Sequence, residues 1–85
     1  MSASSTATNA MTTKGALLKR SMRIAGHRTS LALEQEFWVA LERIARARSQ
    51  TLPVLIASID DARGKDSPDA SLASAVRVFV LENRV

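Results

Sequence analysis

The residues with most chemical potential in this chain are cations set in an alternating frame. In the run His-Arg-Thr-Ser-Leu-Ala-Leu (residues 27–33), Arg28, Ser30 and Ala32 share one parity, and Thr29, Leu31 and Leu33 share the other. That period belongs to a half-buried strand. Its outer side carries one arginine and short side chains. On a nucleic acid, arginine can bind guanine through two hydrogen bonds and serine can bond several bases. Ala32 can meet only an apolar feature such as the thymine methyl. A good bidentate contact is worth roughly 1–3 kcal/mol of discrimination.

The charge distribution points the same way. Net charge is +4, and residues 1–33 carry Lys14, Lys19, Arg20, Arg23 and Arg28 with no acid. The remaining residues carry bases and acids in near balance. Such asymmetry is a footprint for a polyanion, or else a solubilising basic tail.

Other chemistries find little support. There is no cysteine and a single histidine, so thiolate sites, disulfides and a structural zinc site are not expected. Asp60 and Asp61 are adjacent and diverge on a helix, so they make no acid/base pair. No nucleophile–base set and no glycine-rich phosphate loop is visible. The expectation is a non-enzyme without cofactors. No run approaches the ~20 apolar residues of a membrane span. The N-terminus lacks the pattern of a secretory signal. A cytoplasmic, nucleoid-associated protein is therefore expected.

The elements that must position these residues follow. Residues 1–18 read as a flexible tail and 19–85 as one domain. In 19–24, Met22 and Ile24 share one parity, with Lys19, Ser21 and Arg23 on the other. Ala25-Gly26 then breaks the pattern. This segment is either a short strand or a basic arm. Residues 35–48 switch to helical spacing, with Phe37, Leu41, Ile44 and Ala45 recurring and Trp38 beside them. Glu42 and Arg46 form an i,i+4 pair. Thr51 can cap a second helix bearing Leu52, Leu55, Ile56 and Ile59, with Gly64 as its stop. A third segment, capped by Ser67 or Ser71, places Leu72, Ala75, Val76 and Phe79 on one face. Val76, Val78 and Val80 also alternate, so a strand stays open there.

The expected fold is mainly α with one short β-strand. A lone strand must pair, and the chain offers no strong second one. A two-fold copy would supply it, giving an intermolecular antiparallel two-stranded ribbon over helices. Leu31, Leu33, Phe37, Trp38, Leu41, Leu55 and Ile59 would form the core and dimer contacts.

Three blocks together resemble a bacterial ribbon-helix-helix domain family. They are Lys-Arg-Ser-Met-Arg-Ile-Ala-Gly-His-Arg-Thr-Ser-Leu-Ala-Leu-Glu-Gln-Glu-Phe-Trp (19–38), Leu-Ile-Ala-Ser-Ile-Asp (55–60) and Ala-Val-Arg-Val-Phe-Val-Leu-Glu (75–82). The resemblance spans about residues 19–84. It implies a dimeric ribbon-helix-helix fold of the MetJ and Arc repressor type, with a third, C-terminal helix added. It also implies a homodimer, or a higher oligomer, that binds double-stranded DNA and regulates transcription. By position, Arg28, Ser30 and Ala32 face the bases and Thr51 stands at a phosphate-holding helix start. Ala32 departs from the polar reader common among relatives.

Several residues keep two readings. His27 is a phosphate contact or a local hydrogen-bonding residue. Trp38 is an interaction anchor or core packing. Lys19, Arg20 and Arg23 are a DNA-binding arm or an idle basic stretch. At the level of function, a protein-interaction module, such as an antitoxin-like dimer binding its partner through the third helix, stands as the alternative. A peripheral membrane binder fits least, because residues 14–28 lack aromatic, amphipathic character.

Overall fold

In the computed structural model, which describes residues 15–84, the alternation at 27–33 becomes one half of a hairpin. Strand β1 spans Leu17–Ile24 and β2 spans His27–Glu34. They pair antiparallel with Leu17 opposite Glu34 and Ile24 opposite His27. Ala25 and Gly26 form the connection with φ of 51° and 85°. Positive φ at both central residues is the signature of the I′ turn, whose twist matches that of the strands. Gly26 takes this conformation at no steric cost. Ala25 does not, and the left-handed region costs an L-residue about 1–2 kcal/mol.

Helix α1 spans Gln35–Ala47, α2 spans Leu52–Asp66 and α3 spans Leu72–Glu82. Each boundary has a local cause. The end of α1 is wrapped by Ser49 at φ 55°. There the Gln50 N–H donates to Ala45 O at 2.8 Å and the Ser49 N–H to Arg46 O at 3.1 Å, the two bonds of a Schellman motif. Thr51 caps α2, its Oγ1 accepting from the Val54 N–H at 3.3 Å. Pro53 falls in the first turn, where its missing donor costs nothing. Ser71 caps α3 by accepting from the Ser74 N–H at 3.0 Å.

The hairpin lies on the helices by one face. Ile24, Leu31 and Leu33 are buried in a single cluster with Trp38, Leu41, Ile44 and Ala45 of α1. Leu55, Ile56 and Ile59 of α2 join them, as do Val76 and Val80 of α3. Leucines and isoleucines buried this fully contribute about 1.5–3 kcal/mol each. No polar or charged residue is wholly buried among the described residues, although the Oε1 of the half-buried Gln50 is out of solvent and accepts no hydrogen bond.

Several sequence expectations change. The fold has two strands of eight residues each rather than one short strand. The second strand is the 19–24 segment, extended back to Leu17, so residues 17 and 18 are strand rather than tail. The partner of β2 is β1 of the same chain. The argument that β2 must seek a second copy for want of a partner therefore fails. Residues 1–14 lie outside the described residues. Gly64 does not stop α2, which runs to Asp66. Arg63 holds that last turn, binding Asp60 Oδ1 at 2.8 Å and Ala70 O at 3.0 Å, and Lys65 pairs with Asp61. Glu42 meets Arg20 across the fold rather than Arg46 on its own helix. The ambiguity at 72–82 resolves to helix.

Candidate nucleic-acid interface

Directly opposite residues of an antiparallel pair share a face, so the register sorts the cations by side. The outward pairs are Lys19 with Ala32, Ser21 with Ser30, and Arg23 with Arg28. All six residues are exposed. None of Lys19, Arg23 and Arg28 forms an ion pair among the described residues. Arg23 donates from Nη1 to Gly26 O at 3.2 Å, which leans it over the turn. Like charges directly opposite each other on a sheet are destabilising. The hairpin nevertheless sets Arg23 against Arg28 with no acid between them.

Arg20 falls on the other parity, opposite Leu31. Its guanidinium lies 4.7 Å from the centroid of the Trp38 ring, and its Nη2 sits 3.3 Å from Glu42 Oε2. Trp38 in turn donates from Nε1 to Leu18 O at 2.8 Å. Three residues thus tie β1 to α1, and Arg20, though exposed, pairs its charge with Glu42 of the same chain. The fully packed Trp38 is core, at 2% exposure.

The remaining sequence candidates are dispersed. His27 closes the turn opposite Ile24 and is exposed. Thr51 stands at the start of α2, with its hydroxyl engaged in the cap. Leu31, Leu33, Leu41, Leu55 and Ile59 are buried core, and Phe37 packs half-buried against that core. Ser21 is the residue sequence reasoning missed. It completes the outward face, and the signal was its shared parity with Lys19 and Arg23.

At the helix end of β2 the only acid of the outward parity is already taken. Glu34 accepts from Arg77 Nε at 2.9 Å and from Nη2 at 3.2 Å. The Arg77 hydrogen bond holds the Glu34 carboxyl below its ordinary range, with a backbone hydrogen bond and the guanidinium charge adding to the effect. Arg77 also faces the Phe37 ring at 5.9 Å. The ribbon's outward surface is therefore basic at Lys19 and at Arg23 with Arg28, with small side chains between them and the exposed Leu17 opposite Glu34 at the helix end.

That surface is also free of aromatic rings. The chain has two phenylalanines, one tryptophan and no tyrosine, and Phe37, Trp38 and Phe79 all pack into or against the core. Among the described residues no group of His, Asp or Glu side chains could hold a metal ion. No helix there is long and apolar enough to cross a membrane.

No curated protein and no solved structure matches the chain. A family model for the ribbon-helix-helix domain matches residues 17–83, from the first residue of β1 to the residue that follows α3. With the two-stranded ribbon, the helices beneath it and this match over most of its length, the chain belongs to the ribbon-helix-helix domain family.

Proposed function

We propose that the protein is a DNA-binding transcriptional regulator that lays the outward face of its ribbon into the major groove of double-stranded DNA. The observation that carries this reading is the exposed set Lys19, Arg23 and Arg28, unpaired with any acid among the described residues and held on one face by the hairpin register. A two-stranded ribbon is one of the few elements that the major groove admits. Setting Arg23 against Arg28 costs stability in the free protein, and an anion laid across the face offsets it. The absence of aromatic rings from that face argues for duplex over single strands, since single-strand binders stack bases on aromatic side chains.

Within this reading Arg28 and Ser30 are the base readers, and Lys19 and Arg23 supply charge to the backbone. Ala32 adds only an apolar contact. The start of α2 at Thr51 offers a second phosphate contact through its backbone N–H groups. The protein works as a homodimer at the nucleoid, because one ribbon face carries few base contacts and two-fold symmetry doubles them.

The test is a gel shift on duplex fragments across a salt series, with wild-type protein and Arg28→Ala. Affinity should fall steeply with salt, and the variant should bind more weakly at unchanged fold. A flat salt response would end the reading.

One observation favours a second reading, a partner-binding dimer of antitoxin type. Val78 and Leu81 of α3 are 49% and 56% exposed. Val78 borders a groove of about 240 Å³ between α2 and α3, with Ile59, Ala62, Ala75 and Phe79 in its wall. That reading expects a stable complex with a second protein through α3 and no shift of DNA.

A further inference from the structure

We propose that the groove between α2 and α3 receives a cationic amphipathic helix of a partner protein, its apolar stripe filling the groove and its lysines or arginines meeting Asp66 and Glu82. This inference rests on the partner-binding reading above and supplies the chemistry of the partner.

Three features support it. First, the groove is walled by two matching helix faces. Ile59, Ala62, Arg63 and Asp66 recur at i, i+3, i+4 and i+7 along α2, and Ala75, Val78, Phe79 and Glu82 repeat that spacing along α3. Each face begins apolar and closes on a carboxylate at the last residue of its helix. Second, those carboxylates are unanswered. Neither Asp66 nor Glu82 forms an ion pair among the described residues. Arg63, the cation in the wall, is spent within the chain, with Nη2 on Asp60 Oδ1 at 2.8 Å and Nη1 on Ala70 O at 3.0 Å. Arg48 approaches from beyond α1, but it stacks on Phe79 and donates to Asn83 Oδ1. Arg84 lines a separate cleft beside Arg43. The last turn of α3 thus carries Glu82 and no base, which the negative end of a helix dipole disfavours. A cation brought by a partner offsets that. Third, the walls are helices and offer no strand edge. An extended peptide laid there leaves its backbone N–H and C=O groups unpaired, whereas a helix pairs its own.

The two surfaces carry opposite charge. The ribbon gathers Lys19, Arg23 and Arg28, and the groove presents Asp66 and Glu82. The groove repels DNA, and the ribbon repels a cationic helix. The two partners therefore do not compete for one surface.

The test uses the full chain and a synthetic peptide of about 15 residues, long enough to hold a helix, with leucines at i, i+3, i+4 and i+7 and lysines beside them. A second peptide carries glutamate in place of each lysine. In titration calorimetry without DNA, the lysine peptide should bind the wild type at least about tenfold more tightly than the glutamate peptide. Asp66→Asn/Glu82→Gln should weaken the lysine peptide about fivefold. Val78→Ser removes an apolar wall without changing charge and should also weaken it. All three positions are exposed, so the substitutions leave the core intact. No binding of the lysine peptide, equal binding of both peptides, or an unchanged affinity in the double variant overturns the proposal.

Further outcomes separate this inference from the readings above. Tight binding of the glutamate peptide alone keeps α3 as a partner surface yet overturns the assigned chemistry. Binding of neither peptide removes the groove from the partner-binding reading as well. A lower solution mass for Val78→Ser than for the wild type in sedimentation shows that a second copy of this chain fills the groove, and overturns the proposal. The wild-type gel shift requires neither peptide nor variant, so the DNA reading stands or falls separately.

Discussion

Arg20 and Arg23 stand three residues apart on one strand, yet they do opposite work. Arg20 faces the helices, stacks on Trp38 and meets Glu42. Arg23 faces solvent, opposite Arg28, with only the Gly26 carbonyl as a partner among the described residues. Strand parity alone separates them. A basic run on a half-buried strand is therefore two sets of residues, one spent on holding the ribbon and one left for a partner.

The largest test of the inward set is Trp38→Ala. It removes a fully buried aromatic and the hydrogen bond to Leu18 O, and should cost about 3–5 kcal/mol in urea or thermal unfolding. A cost well under about 1 kcal/mol would show that the seam between β1 and α1 contributes little. On the outward set, Arg28→Ala should leave unfolding unchanged and weaken DNA binding by roughly 1–3 kcal/mol, with relaxed preference at the base it reads. Unchanged affinity would remove the ribbon face as the reading surface.

Arg20→Ala sharpens the contrast at smaller scale. The exposed ion pair and the stacking on Trp38 together suggest a stability cost of about 1 kcal/mol. DNA affinity of the folded variant should not move, although a positive charge has gone. If Arg20→Ala and Arg23→Ala weakened DNA binding equally, total charge rather than face would govern binding.

The smallest effect concerns Glu34. Its carboxyl titrates lower in the folded chain than in the unfolded one because Arg77 favours the ionised form. Its contribution is present in full above the unfolded value and is lost as pH falls through the lowered folded value. Unfolding measured down into the acid range should show this dependence in the wild type. Glu34→Gln should flatten it, and an identical pH profile for the two proteins would contradict the assignment.

Much of this was open to reading in the sequence, and the reasons differ by element. The alternation at 27–33 depends on two leucines against short polar residues, a contrast large enough to mark the buried side. The cap at Thr51 announces itself by residue type, whereas residue type narrows the cap of α3 only to Ser67 or Ser71. β1 was harder, because Leu17 and Leu18 side by side blur the alternation at its start and Arg20 sits on the inner side where an apolar residue would be expected. Arg20 is acceptable there because it lies over Trp38, a contact between distant residues that no local pattern encodes. Pairing within one chain was missed for a related reason. Ala-Gly is a weak turn signal, since alanine disfavours the left-handed region that the I′ turn requires. Gly64 misled because its helix is held by Arg63 reaching across to the loop carbonyls.

The central claim is that the cations on the outward face, and not total charge, bind DNA. Its most direct test is the slope of log affinity against log salt for the wild type, for the Lys19/Arg23/Arg28→Ala triple variant and for Arg20→Ala, all on the same duplex. The account predicts a shallower slope for the triple variant, by about 0.9 for each phosphate that is no longer neutralised, and a wild-type slope for Arg20→Ala. A triple variant that keeps the wild-type slope and affinity would contradict it.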